Sequence, residues 1–87
     1  MAKYEVQIKL SAAKEIESIE RKSDRKRIID CIKDLANNPR PNGSEKLTGQ
    51  DRYRIREGNY RILYTITDKK LIVCIVKVGN RKDVYRH

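Results

Sequence analysis

The chain has no tryptophan, no phenylalanine and only two cysteines, and its one histidine is the final residue, His87. A single terminal histidine leaves no Ser-His-Asp set, and with two separated cysteines it gives no Cys/His cluster of zinc-ligand spacing. No glycine-rich phosphate loop precedes a helix, and the carboxylates form no obvious inward-facing pair. Neither a metal nor a cofactor is expected. No run of about 18 apolar residues is present, so no membrane-spanning helix is read. The N-terminus carries no apolar stretch before a cleavage site, so no secretory signal is read either. Cys31 and Cys74 each sit among apolar neighbours and read as buried free thiols, which points to the cytoplasm. There is no internal repeat and no low-complexity segment.

What remains is short and basic. Eighty-seven residues make one domain, 1–87, with a small core. The 21 Lys and Arg outnumber 12 Asp and Glu, for a net charge of +9. Residues 1–39 hold 9 basic and 7 acidic groups, whereas residues 40–87 hold 12 and 5. Such an imbalance argues for an anionic partner, be it nucleic acid, an acidic protein or an anionic lipid.

Residues 3–9 alternate, with Tyr4, Val6 and Ile8 on one face, as in a half-buried strand. Ser11 is the expected N-cap of a first helix running from Ala12 to about Arg21. Ser23 or Asp24 is expected to cap a second, whose apolar stripe is Ile28, Ile29, Ile32, Leu35 and Ala36. Pro39 and Pro41 end it. Arg21, Lys22, Arg25, Lys26 and Arg27 surround the joint between the helices, either as a solvated corner or as a phosphate surface. Residues 37–45 are the long loop. Leu71 to Val78 is almost continuously apolar and reads as a central strand, broken at Gly79.

The most informative stretch is Tyr53 to Tyr64. Gly58-Asn59 reads as the two-residue loop of a β-hairpin, which sets Arg56 opposite Arg61, Ile55 opposite Ile62, Arg54 opposite Leu63 and Tyr53 opposite Tyr64. Alternation then gathers Tyr53, Ile55, Ile62 and Tyr64 on one face and Arg54, Arg56 and Arg61 on the other. Like charges directly across a sheet are destabilising by roughly 0.2–1 kcal/mol, so an anion is expected among the three guanidiniums. In the last strand, parity puts Leu71, Val73 and Ile75 with the tyrosines, and Ile72, Cys74, Val76 and Val78 with the arginines. Folding back of residues 80–87 would bring Arg81, Lys82, Tyr85, Arg86 and His87 to the same place. The expected fold is α+β, β-α-α-β-β-β, with two helices on one face of a mainly antiparallel four-stranded sheet. Arginine clamps phosphate with a planar fork at any working pH. These residues suit plain binding of single-stranded RNA, and equally its metal-independent cleavage through the substrate's own 2′-hydroxyl.

An ordered set of motifs spans nearly the whole chain: Lys46-Leu47-x-Gly49, Tyr53-Arg-Ile-Arg56, Asn59-Tyr60-Arg61-Ile-Leu-Tyr64, Val78-Gly79 and Asn80-Arg81-Lys-Asp-Val-Tyr85-Arg. In these the chain resembles the RelE/ParE superfamily of toxins from type II toxin–antitoxin pairs. It looks most like the RelE branch, which has the RelE-like microbial RNase fold and cleaves messenger RNA in the ribosomal A site. The resemblance implies an endoribonuclease that inhibits translation, with Arg61 holding the scissile phosphate and Arg81 stabilising charge or assisting the leaving 5′-oxygen. Tyr85 would position or deprotonate the 2′-hydroxyl or stack on a base. Arg54 and Arg56 fall where the best-known RelE pattern has lysines, so they would act by charge alone, moving proton transfer toward Tyr85 or His87. Lys46, Lys82 and Arg86 would add RNA contacts. The resemblance also implies an acidic cognate antitoxin that obstructs the basic site, in a complex that represses its own promoter. The ParE branch has the same fold but inhibits DNA gyrase without nuclease activity. That alternative, and a non-catalytic binding module, stay open at this point.

Overall fold

The hairpin at Gly58-Asn59 forms with the register read from the sequence. The structure, a computed structural model, describes residues 3–80. Its elements in chain order are β1 (Glu5–Ile8), α1 (Leu10–Glu17), α2 (Lys22–Leu35), β2 (Glu45–Lys46), β3 (Tyr53–Glu57), β4 (Tyr60–Thr67) and β5 (Ile72–Asn80). β3 and β4 pair antiparallel with Tyr53 opposite Tyr64, Ile55 opposite Ile62 and Arg56 opposite Arg61. Gly58 takes φ +60° while Asn59 stays negative, the sign pattern of the II′ turn that matches strand twist.

The α+β architecture is as expected, but the sheet has five strands in the order β1-β5-β4-β3-β2. The additional strand is Glu45–Lys46, antiparallel to β3. Two residues carry no alternation, so periodicity cannot announce such a strand. β1 lies parallel to β5 at the opposite edge. The helices start and stop elsewhere than expected. α1 begins at Leu10 with Lys9 at its N-cap, and α2 begins at Lys22 after Arg21; neither cap position makes a side-chain hydrogen bond. Ser11, Ser23 and Asp24 are thus inside the first turns rather than capping them. α1 ends early, where the Ser18 hydroxyl donates to the Glu15 carbonyl (2.8 Å) and the chain tightens.

One face of the sheet packs on the helices through Ala12, Ile16, Ile28, Ile32 and Leu35 against Ile55, Ile62, Tyr64, Val73, Ile75 and Val78. Burying each large aliphatic or aromatic side chain contributes on the order of 1.5–3 kcal/mol. Ile29, expected in the α2 stripe, turns outward and is 37% exposed. Val78 corrects the parity argument for β5. A register shift places Leu63 opposite Lys77 but Tyr64 opposite Ile75. Val76 is therefore the extra residue of a β-bulge, and Val78 returns to the helix side beside Ile62. Leu71, expected on the tyrosine face, instead lies in the preceding turn at φ +55°.

Beyond Ile8 the edge of β5 is open, and Glu15 of α1 closes it. Its carboxylate accepts from the Val78 amide (3.0 Å) and the Lys77 ammonium (2.9 Å). At the other end, the loop after α2 is tethered to the sheet. The buried Tyr64 hydroxyl donates to the Pro39 carbonyl (2.8 Å), and the Tyr64 ring stacks on Tyr53 with centroids 5.8 Å apart. Arg40 lies over the Tyr53 ring, donates to its hydroxyl and forks onto Asp68, which also accepts from Tyr4.

The hydrogen bonds from Arg40 and Tyr4 hold the Asp68 carboxyl down at about 2, below the unfolded value of about 3.9. A depressed carboxyl stabilises the fold above its unfolded pKa, and that contribution disappears as pH falls through the folded value. Asp68→Asn should therefore lower the urea midpoint at pH 7 and pH 5, and the difference from wild type should close as pH approaches 2. Equal midpoints at pH 7 would show that the tether contributes nothing.

Candidate functional site

Strand pairing sets the arginines together on the face of the sheet away from the helices, but it leaves them in three different states. Arg56 is exposed at the end of β3. Arg54 pairs across to Glu45 of β2, whose carboxylate accepts its guanidinium in a salt bridge, and its side chain keeps 20% exposure against 65% for Glu45. Arg61 is 1% exposed, although β3 sets it opposite Arg56 and β5 sets it opposite Gly79. Leu63, next on the same face, is 9% exposed. The three arginines that the sequence gathers on one face thus differ in state: Arg56 is open, Arg54 is matched by a carboxylate and Arg61 is buried.

Arg54 and Arg56 line a concavity of about 470 Å³ with Asn42, Gly43, Glu45 and Glu57. Gly43 sits at φ +93°, in the left-handed region that glycine occupies without strain. Two guanidiniums at this hollow suit an extended phosphate backbone, provided it displaces Glu45 from Arg54. Lys46, expected to add an RNA contact, is paired with Tyr53 and so points from the other face of the sheet. It does not join the arginines. Arg81, Lys82, Tyr85, Arg86 and His87 lie outside the described residues. β5 ends at Asn80 opposite Tyr60, one residue before Arg61.

Glu45 is the member of the site that sequence reasoning misses. The signal is too faint, because a two-residue strand shows no period and its partner is fixed only by tertiary register. Among the described residues no group of three or more His, Cys, Asp or Glu side chains is placed to hold a metal. No helix there is long and apolar enough to cross a membrane. Cys31 and Cys74 are free and half-buried. Burial, reinforced by Glu57 and Asp34, pushes the Cys31 thiol up to about 11, so it is protonated and unreactive at neutral pH.

Residues 6–85 match the family described as the ParE toxin of type II toxin–antitoxin systems, parDE. A protein of Escherichia coli named for its likeness to RelE toxins is 33% identical over 88 residues, covering 95% of this chain and 90% of that protein. Among solved structures, the archaeal RelE–RelB complex from Pyrococcus horikoshii superposes with a TM-score of 0.82 at 29% identity, covering all of both chains. The intact RelBE toxin–antitoxin complex of E. coli gives 0.75 at 28% identity, covering 88% of this chain and 95% of that one.

If Glu45 occupies Arg54 as the structure describes, releasing it should add one competent cation to this face. Glu45→Gln should elute later from heparin than Glu17→Gln, a change at an exposed carboxylate on α1 that alters net charge equally. Identical retention of the two variants would show that the Glu45–Arg54 pair does not limit anion binding.

Proposed function

The chain belongs to the ParE toxin family of type II toxin–antitoxin systems, and from that premise we propose that it is a metal-independent mRNA endoribonuclease. In this reading it acts as one toxin domain over residues 1–87, in the cytoplasm, on message held in the ribosomal A site. The observation that carries the proposal is Arg56 set directly opposite Arg61, with Arg54 two residues away on the same face. A fold built only for stability would gain by separating them. Phosphoryl transfer needs such cations, since its transition state gathers negative charge on the phosphate oxygens.

The 2′-hydroxyl attacks the adjacent phosphorus, its proton passing to the Tyr85 phenolate or the neutral His87 imidazole. The P–O5′ bond breaks and the 5′-oxygen takes up a proton, from the acid so formed or from water, leaving a 2′,3′-cyclic phosphate and a 5′-hydroxyl. Arg61 holds the non-bridging oxygens, Arg81 stabilises the departing 5′-oxygen, and Arg54 and Arg56 align the flanking backbone. Lys82 and Arg86 add phosphate contacts. RNA binding has to reach the buried Arg61 and to displace Glu45 from Arg54. The proposed partner in the resting state is a cognate acidic antitoxin, as in the RelE–RelB complexes, forming a hetero-oligomer that represses its own promoter.

A second reading follows from the same burial. A toxin whose Arg61 stays covered has no phosphate clamp, and would act, like ParE proteins, on DNA gyrase without cutting RNA. Mapping 5′ ends of mRNA after induction separates the two. Cuts at fixed positions within translated codons, with growth arrest, are expected. Arg61→Ala and Tyr85→Phe should each slow cleavage on the order of 10²–10³-fold while circular dichroism stays that of the wild type. Intact message with accumulating double-strand DNA breaks would establish the gyrase reading instead.

A further inference from the structure

β1 stands at the edge of the sheet, with β5 on one side and, among the described residues, no strand on the other. The amides of Glu5 and Lys9 bond to the carbonyls of Leu71 (2.7 Å) and Ile75 (3.0 Å) on the β5 side. Successive residues of a strand direct their backbone groups to opposite sides, so Val6 and Ile8 turn their N–H and C=O outward. Tyr4 also turns outward, but its amide donates to the Ala36 carbonyl (2.8 Å) at the end of α2. The open edge is therefore short, running from Val6 to the start of α1 at Leu10.

A short edge that carries charge is a common guard against pairing. Glu5 and Lys9 fit that reading on the face of the sheet away from the helices, where Gln7 donates to Glu5 (2.8 Å). The other face of the same strand does not fit it. Four large apolar side chains are exposed among the described residues, and three of them, Ile8 (44%), Leu10 (73%) and Ile29, lie at or beside this edge. Ile8 and Ile29 line an apolar groove of about 480 Å³ between β1 and α2, with Tyr4, Val6, Ile32 and Ala36 in its walls. Such a groove beside an open strand edge is a surface for strand addition.

The sequence of β1 selects the added strand. A second copy related by a two-fold axis pairs β1 with β1 antiparallel. A register centred on Val6 would need Tyr4, whose amide is taken, and would oppose Lys3 to Lys9. A register centred on Ile8 would need Leu10, which already belongs to α1. The register centred on Gln7 uses only the outward groups of Val6 and Ile8, each against the other in the second copy. It also sets Glu5 of each copy opposite Lys9 of the other, so opposite charges meet at both symmetry-related places while aliphatic groups meet on the helix side. The exposed Leu10 is carried toward Tyr4 of the other copy, at the wall of its groove.

We propose that this edge is a homodimer interface, in which two copies join through antiparallel β1 strands and close their apolar grooves with Ile8 and Leu10. The two sheets become one continuous sheet. Its two-fold axis stands perpendicular to the sheet, so both arginine faces look to the same side. The interface is small and the dimer correspondingly weak, of micromolar order. The proposal goes beyond the cleavage reading and does not depend on it.

Sedimentation velocity of the purified full chain, from about 1 to 300 µM, tests it. The wild type should pass from one copy to two across that range. Lys9→Glu and Glu5→Lys each place like charges across both pairs, and each should weaken association about tenfold. The double variant Glu5→Lys/Lys9→Glu restores opposite charges and should associate like the wild type, a rescue that neither a folding defect nor bulk charge would produce. Should a single variant fail to fold, Leu10→Asp should weaken the dimer about tenfold through lost apolar burial, and an acid in the first turn of α1 suits the helix dipole. A chain that stays monomeric throughout would overturn the proposal and leave the groove to a different protein. A dimer indifferent to the single swaps, or one that the double variant does not restore, would place the contact elsewhere and overturn it too.

Discussion

The register between β3 and β4 is the constraint on which the rest of the molecule depends. A slip of one residue would turn Arg61 and Leu63 toward the helices and expel Ile62 and Tyr64, both fully buried now. Burying a guanidinium among Ile28, Ile32 and Leu35 without a counter-charge would cost several kcal/mol. The two-residue turn and the apolar face therefore enforce the same pairing, and each alone would suffice to choose it. Once that pairing holds, positions 56 and 61 face each other, and the charge conflict arises because arginine stands at both, a choice that the core does not require.

This is why so much of the hairpin is legible in the sequence. Gly58-Asn59, the alternation of Tyr53, Ile55, Ile62 and Tyr64, and the three arginines all lie within one local segment whose period is two. The features that escape share the opposite property. The bulge at Val76 depends on how β5 meets β4, and nothing in an unbroken apolar run marks one residue as extra. Parity consequently places Val78 on the wrong face. The strand Glu45–Lys46 exists only because β3 offers it an edge. The helix starts differ for a related reason: Ser11, Ser23 and Asp24 have good capping chemistry, but tertiary packing of α1 and α2 sets where each helix begins.

Charge is handled differently at the two ends of the sheet. At the edge of β5, Glu15 satisfies a strand amide and an ammonium at once, so its carboxylate stands in for a missing strand. At the opposite edge, Glu45 occupies Arg54 across a two-stranded ribbon. The first contact is partly buried and closes an edge. The second is exposed on the carboxylate side, where such a pair contributes little to stability and can be exchanged for a phosphate with small loss.

The position of Glu45 is in turn governed by the loop that carries it. That loop leaves α2 at Pro39, whose carbonyl is held by Tyr64 from inside the core, and Arg40 is pinned between Tyr53 and Asp68. Tyr64 and Tyr53 belong to the same two strands that present the arginines, but to the opposite face. The side of the hairpin that builds the core thus also fixes the loop that delivers a carboxylate to Arg54. The tether thus links the core face of the hairpin to the loop that leads to Glu45.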